Sequence, residues 1–278
     1  MRAKSRPRLA RSVVDMQSTT TPWALGDYHR FAKQMVWGFG PTLVAACGIS
    51  PGQRVLDVAA GTGNTAIRAA LAGADVVACD LEPTQFEAGR REARSCGVEL
   101  EWVQADAAAL PFADGEFDVV TSSAGAMFSP DHQAVADELV RVCRPGGTIG
   151  MITFTPEGMA GEFFELFGRY MPPPEPGAQP PGLWGDEAHV RALFRDRLSS
   201  LELTRSEYVE RTPGGSAGFL DFYKRTFGPV VAIYERLDDG GRAELDRAAL
   251  GFVDRWNTGA PDGPAHVPVE YMLIVGRR

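Results

Sequence analysis

Val55-Leu56-Asp57-Val58-Ala59-Ala60-Gly61-Thr62-Gly63-Asn64 is the stretch whose reading decides the fold. Arg54–Val58 is a compact apolar strand, Gly61–Gly63 punctuates it, and Thr65–Ala72 reads as a helix. A strand that passes through a glycine turn into a helix start brings backbone N–H groups close to a ligand. The same rhythm continues outward. Asp75–Cys79 is a second strand, followed by a helix that opens at Pro83 and ends before Gly97. Leu100–Ala105 and Phe117–Ser122 read as the third and fourth strands. A helix follows from about Asp131 to Arg144, with Val135, Leu139 and Val142 on one face and Cys143 in its last turn. Pro145-Gly146-Gly147 ends it, and Thr148–Phe154 is the fifth strand. Strands alternating with helices of this length imply βαβ units and a parallel sheet covered on both faces, a doubly wound α/β fold.

After Phe154 the rhythm changes. Six prolines between residues 171 and 182 exclude a helix or a central strand, so this is an extended loop. Asp186 caps an expected helix through Phe194. Leu201–Val209 and Val269–Val275 read as strands, and a helical stretch rich in aromatic residues fills about 216–256 between them.

The composition, 44% hydrophobic and 23% charged, is that of an ordinary soluble enzyme. No stretch approaches the ~20 apolar residues of a membrane span, and Arg2, Lys4, Arg6, Arg8 and Arg11 precede no apolar run, so the cytoplasm is the expected location. Residues 1–22 carry +4 and are expected to be a basic, mobile arm, with Met16 as an alternative start; the remainder carries −12. A body that acidic repels a phosphate backbone, which argues against nucleic acid as the main partner. Cys47, Cys79, Cys96 and Cys143 form no C-x-x-C pair and are expected to be buried thiols, and the four histidines complete no zinc signature, so no metal is expected.

The glycine motif alone is ambiguous. Gly61-Thr62-Gly63-Asn64-Thr65-Ala66 satisfies G-x-G-x-x-G/A, and Asp80 ends the second strand where a dinucleotide fold also carries its ribose-binding acid. Three further features separate the readings. Asp57 aims a carboxylate at the loop, unwelcome to a pyrophosphate but suited to a cation. Asp106 closes the third strand in Ala105-Asp106-Ala107-Ala108-Ala109-Leu110-Pro111-Phe112. Phe117-Asp118-Val119-Val120 and Arg144-Pro145-Gly146-Gly147 introduce the fourth and fifth. Together these residues resemble the class I S-adenosylmethionine-dependent methyltransferases, and among them the ubiquinone/menaquinone-methyltransferase-like group. The resemblance is dense over about residues 50–155 and is only general, to bacterial small-molecule methyltransferases, over 156–278.

The resemblance implies a seven-stranded sheet ordered 3-2-1-4-5-7-6 with the last strand antiparallel. One methyltransferase domain over 23–278 is expected, with cap elements at about 157–195 and 210–262. It also implies S-adenosylmethionine as cofactor, leaving S-adenosylhomocysteine. Asp57, Gly61 and Gly63 match the motif lying against its methionine part, with Ala59 where the family usually has a first glycine. Asp80 matches the acid that binds the ribose hydroxyls, Leu81 packs on adenine, and Asp106 accepts from the adenine amino group with Ala107 beside it. Ser122 and Ser123 line the floor between cofactor and acceptor. In similar enzymes the segment before the first strand folds over the cofactor, which makes Tyr28 a binding candidate and His29 a candidate base; alternatively Tyr28, Phe31, Met35 and Val36 simply form the apolar face of a first helix. His132 is a second possible base, although Asp131 reads as a helix cap, which leaves His132 at the surface.

Methyl transfer to an aligned nucleophile needs positioning and exclusion of water. The chain lacks the Asn/Asp-Pro-Pro-aromatic signature of enzymes acting on nucleic-acid amines, so a small, largely apolar acceptor is expected, with Met127, Phe128, Trp184, Phe222 and Tyr223 as pocket candidates. A dinucleotide-dependent oxidoreductase and a non-methylating S-adenosylmethionine-binding protein remain the alternatives.

Overall fold

The computed structural model describes residues 21–260 and 262–278; residues 1–20 of the basic arm lie outside the described residues. Seven strands form one sheet: β1 (Arg54–Val58), β2 (Asp75–Asp80), β3 (Glu101–Gln104), β4 (Phe117–Ser123), β5 (Cys143–Phe154), β6 (Ser200–Thr212) and β7 (Ala265–Arg277). Their spatial order is β3-β2-β1-β4-β5-β7-β6, with β7 antiparallel to both neighbours and the other pairs parallel. The helices are α1 (Tyr28–Met35), α2 (Phe39–Cys47), α3 (Asn64–Leu71), α4 (Phe86–Ser95), α5 (His132–Val142), α6 (Met159–Gly168), α7 (Glu187–Phe194), α8 (Gly215–Thr226), α9 (Gly228–Arg236) and α10 (Asp239–Trp256). None is long and apolar enough to cross a membrane.

Adjacent residues of the central strands face opposite cores, and this explains their unbroken apolar runs. Val55 packs with Leu43 of α2 and Ala66 and Ala69 of α3, whereas Leu56 packs with Val135 and Leu139 of α5 and Phe194 of α7. Helix starts are fixed by aspartates. Asp27, Asp131, Asp186 and Asp238 each accept a backbone N–H three residues on, satisfying a donor that the first turn leaves free.

Two expectations change. Helix α5 ends at Val142, and Cys143-Arg144-Pro145-Gly146-Gly147 belongs to β5 rather than to a helix end and turn. The β4–β5 register shifts between Phe117 and Val119, and the N–H of Gly146 donates to the carbonyl of Arg278, so the Pro-Gly-Gly segment forms an irregularity rather than a break. Strands β6 and β7 are also longer than their apolar cores. They pair from Ser200–Arg277 to Thr212–Ala265, and α8, α9 and α10 lie between them in the chain.

Candidate functional site

The carboxyl ends of β1, β2 and β4 and the chain beyond β3 open onto a groove of about 480 Å3. Such an edge is where open parallel sheets leave room for ligands, because the chain departs to opposite faces there. Asp80 ends β2. One of its carboxylate oxygens accepts from the N–H of Gly61 at 2.8 Å and the other from the N–H of Glu82, also at 2.8 Å. Burial raises its pKa above the ordinary carboxylate value. Leu81 beside it is 44% exposed, one of two large apolar side chains so placed among the described residues. Beyond β3, Asp106 is exposed and accepts from the N–H of Ala108 at 2.9 Å; Ala105, Ala107, Ala108 and Ala109 complete that wall. The groove thus presents two carboxylates flanking a broad apolar strip.

A small polar cavity lies on the other side of the glycine loop, lined by Asp57, Thr62, Asn64, Thr65 and Ser123. Asp57 is 2% exposed and accepts from the N–H of Ala66 at 3.0 Å and from the hydroxyl of Thr121 at 2.8 Å. Burial, opposed by these bonds, pushes its pKa up to about 7. Thr62 Oγ1, Asn64 Oδ1, Thr65 Oγ1 and Ser123 Oγ are all buried without a partner. Unpaired buried polar atoms are costly, so four around one cavity mark a place built for a polar group.

Tyr28, the first residue of α1, separates these spaces and lines both. Its ring lies on the loop at Gly61, where a Cβ would sit 2.7 Å from Cε1; Gly61 has φ +56°. Burial, with Asp80 and Asp57 nearby, raises the phenol well above its ordinary pKa. The segment before α1 is stitched across the groove. Thr21 donates its hydroxyl to Glu82 at 2.7 Å, and the carbonyl of Trp23 accepts from the Gln85 amide at 2.6 Å. The N–H of Asp27 donates to Arg225 O at the end of α8.

A third space, an aromatic chamber of about 50 Å3, adjoins the groove through Trp23, Tyr28, Ala124 and Phe128. Phe31, Phe154, Phe163, Phe164, Tyr208, Tyr223 and Phe227 are among its walls, drawn from α1, β5, α6, β6, α8 and the turn before α9. One acid lies in it. Glu210 of β6 is 4% exposed; its Oε1 accepts from the Tyr223 hydroxyl at 2.7 Å, and its Oε2 is buried with no partner. Burial pushes its pKa up to about 8.

The structure brings Tyr28, Ala59, Asp80, Leu81, Asp106 and Ala107 together at the groove, and Asp57 and Ser123 at the polar cavity. Ala59 holds φ +54°, the left-handed backbone that the turn demands. Gly61 and Gly63 line none of these spaces: Gly61 admits Tyr28, and a Cβ at Gly63 would sit 2.8 Å from the Trp102 ring. Ser122 is buried and spends its hydroxyl accepting from the N–H of Ala126 at 3.0 Å, so only Ser123 faces a cavity.

His29 points away from all three spaces. Its Nε2 is 3.5 Å from Glu92 of α4 and its ring meets Trp37 edge-on, because one step along α1 from Tyr28 turns the side chain by about 100°. His132, expected at the surface, is fully buried. Its Nδ1 lies 3.0 Å from His189 Nε2 and its ring packs on Trp184, and burial pushes its pKa down to about 4. Phe128 and Tyr223 line the chamber, whereas Met127, Trp184 and Phe222 are core. Cys96 is half-buried, unlike the other three cysteines. Sequence reasoning missed Trp23, Gln85, Tyr208 and above all Glu210. The Tyr208–Glu210–Thr212 alternation on a strand beside an aromatic helical stretch was the available signal.

A family model described as a methyltransferase domain matches residues 55–147. An uncharacterised protein of Mycobacterium tuberculosis is 45% identical over 258 residues, 92% of each chain. The demethylmenaquinone methyltransferase of Thermus thermophilus is 38% identical over 125 residues, 43% of this chain and 57% of that one. Among solved structures, a candidate methyltransferase of Bacillus halodurans superposes with a TM-score of 0.60 at 19% identity, over 85% of this chain and 97% of its own.

Proposed function

The chain belongs to the class I S-adenosylmethionine-dependent methyltransferases of the quinone-methyltransferase-like type, and on that premise we propose that it methylates a small, largely apolar molecule held in the aromatic chamber. The observation that carries this reading is the adjacency of three chemically distinct spaces at one sheet edge, with Tyr28 lining all of them.

The donor set suits the cofactor. The four partnerless polar atoms and Asp57 fit its charged amino-acid end, and a positive neighbour returns Asp57 to its carboxylate form. Asp80 would hold the ribose hydroxyls, with Leu81, Ala107 and Asp106 around the adenine. S-adenosylmethionine, when bound, supplies a methyl carbon already activated by its sulfonium. The chain's own residues do the rest. Asp80 ties the loop at Gly61 to β2 through a bond to the Gly61 N–H, so loop and carboxylate form one rigid unit. Trp23, Tyr28 and Phe128 stand between groove and chamber and keep water from the reacting region. Aromatic walls select an acceptor by apolar area and shape.

Isothermal titration with S-adenosylhomocysteine, with NAD(H) as control, tests the cofactor half. Binding that Asp80→Ala weakens about 100-fold is expected, from two lost charge-assisted hydrogen bonds. Binding of NAD(H) alone would overturn the reading.

A further inference from the structure

Resting on the reading above, we propose that Glu210 binds the hydroxyl of the acceptor, so that the substrate class is a hydroxylated apolar molecule (a phenol, enol or alcohol) rather than an amine. Among the residues lining the chamber, Glu210 is the only acid, and no lysine, arginine or histidine accompanies it. Its Oε1 is taken by Tyr223, but Oε2 is buried and unpartnered, on a side chain that lines a space otherwise walled by apolar and aromatic groups. A buried carboxyl in that condition is destabilising unless something satisfies it.

A hydroxyl is the group that satisfies Oε2 in either protonation state: it donates to a carboxylate and accepts from a carboxylic acid. That versatility matters, because burial pushes Glu210 up to about 8 and leaves it mostly protonated at neutral pH. An ammonium offers only donors and requires a charged partner, and it must also shed a proton before it is nucleophilic. An ether accepts from the carboxylic acid but offers nothing to the carboxylate, and a hydrocarbon satisfies neither form. Tyr208, two residues earlier on the same face of β6, lines the chamber beside Glu210 and extends the polar end of an otherwise greasy space.

The test is equilibrium binding of p-cresol, 4-methylanisole and 4-methylbenzylamine to the full chain, followed by NMR titration with and without S-adenosylhomocysteine. p-Cresol is expected to bind more tightly than 4-methylanisole, by about tenfold or more above pH 8, where the ionised carboxyl accepts from a hydroxyl and an ether has no donor to offer. The ratio is expected to fall in Glu210→Gln and to approach one in the Glu210→Leu/Tyr223→Phe pair, where both polar partners are replaced together. Equal affinities in the unmodified chain, preference for the amine, an unchanged ratio in Glu210→Gln, or no binding of any probe would each overturn the proposal. Failure of S-adenosylhomocysteine to bind would instead sink the methyltransferase reading, and the probe ratio measured without it still judges Glu210 alone.

Discussion

Replacing Glu210 by glutamine should make the protein more stable, and increasingly so as the pH rises. The folded chain holds the Glu210 carboxyl up to about 8, against an ordinary value of 4.5. Below the lower value both folded and unfolded chains carry the proton and folding is not penalised. As the pH rises through the interval the unfolded chain releases the proton while the folded chain keeps it. Stability is therefore lost steadily, at about 1.4 kcal/mol per unit, until the folded carboxyl itself ionises. The glutamine side chain keeps the shape and the acceptor for the Tyr223 hydroxyl but does not titrate. Between pH of about 5.5 and 8.5 the stability difference between the two proteins should widen by roughly 3 kcal/mol in favour of the Glu210→Gln variant. Groups common to both proteins cancel in that difference. Urea unfolding at a series of pH values measures it directly, and a matching gap of roughly 5–10 °C should open between the thermal midpoints. Parallel stability curves for the two proteins would refute the reasoning, because they would mean that Glu210 meets water or a cation in the folded chain.

Three other substitutions probe the loop and its neighbours. Ala59→Gly should leave stability unchanged or raise it by up to about 1 kcal/mol in urea unfolding, since glycine accepts φ +54° freely, whereas Ala66→Gly, inside α3, should cost about 1 kcal/mol or more. Gly63→Ala should destabilise by about 1–3 kcal/mol in the same assay, because φ +86° and the Trp102 ring both oppose a Cβ. His29→Ala should leave S-adenosylhomocysteine affinity within about twofold by titration calorimetry and cost no more than about 1 kcal/mol of stability, the worth of a partly exposed pair with Glu92; a large loss of affinity would restore His29 to the site.

The half of the candidate site built on β1–β4 was legible because its positions follow from one short pattern. A strand of known length puts Asp57 beneath the loop, and the next two strands place Asp80 and Asp106 at the same edge of the sheet. The sheet order itself came from family resemblance, as periodicity does not say which strands are neighbours. The glycines misled in one respect: spacing showed that they were needed, but not that their clearance serves the Tyr28 and Trp102 rings. His29 and Tyr28 could not be separated without the orientation of α1, since adjacent helical residues diverge by about 100°. Glu210 escaped because β6 was read as ending at Val209, one residue short, and because a glutamate on an alternating strand normally faces water. Its burial is a tertiary fact, made by α6 and α8 closing over an edge strand. His132 failed in the same way: its neighbour Asp131 caps α5 as expected, but α7 and the turn at Pro181–Gly185 cover the histidine.

The hairpin of β6 and β7 gives the molecule a modular seam. Its last rung pairs Thr212 with Ala265, so the chain leaves the sheet and returns to it at directly opposed residues. Everything between, including α8 with its Tyr223, α9 and α10, is attached through two strands that a short turn could join without moving β5 or any strand of the groove. Length and sequence can therefore be exchanged in that insertion without altering the strand order, and on the function proposed above a new acceptor specificity can arise by rebuilding one wall of the chamber while Asp57, Asp80 and Asp106 stay in place. Glu210 stands two residues from the seam, on the side that stays.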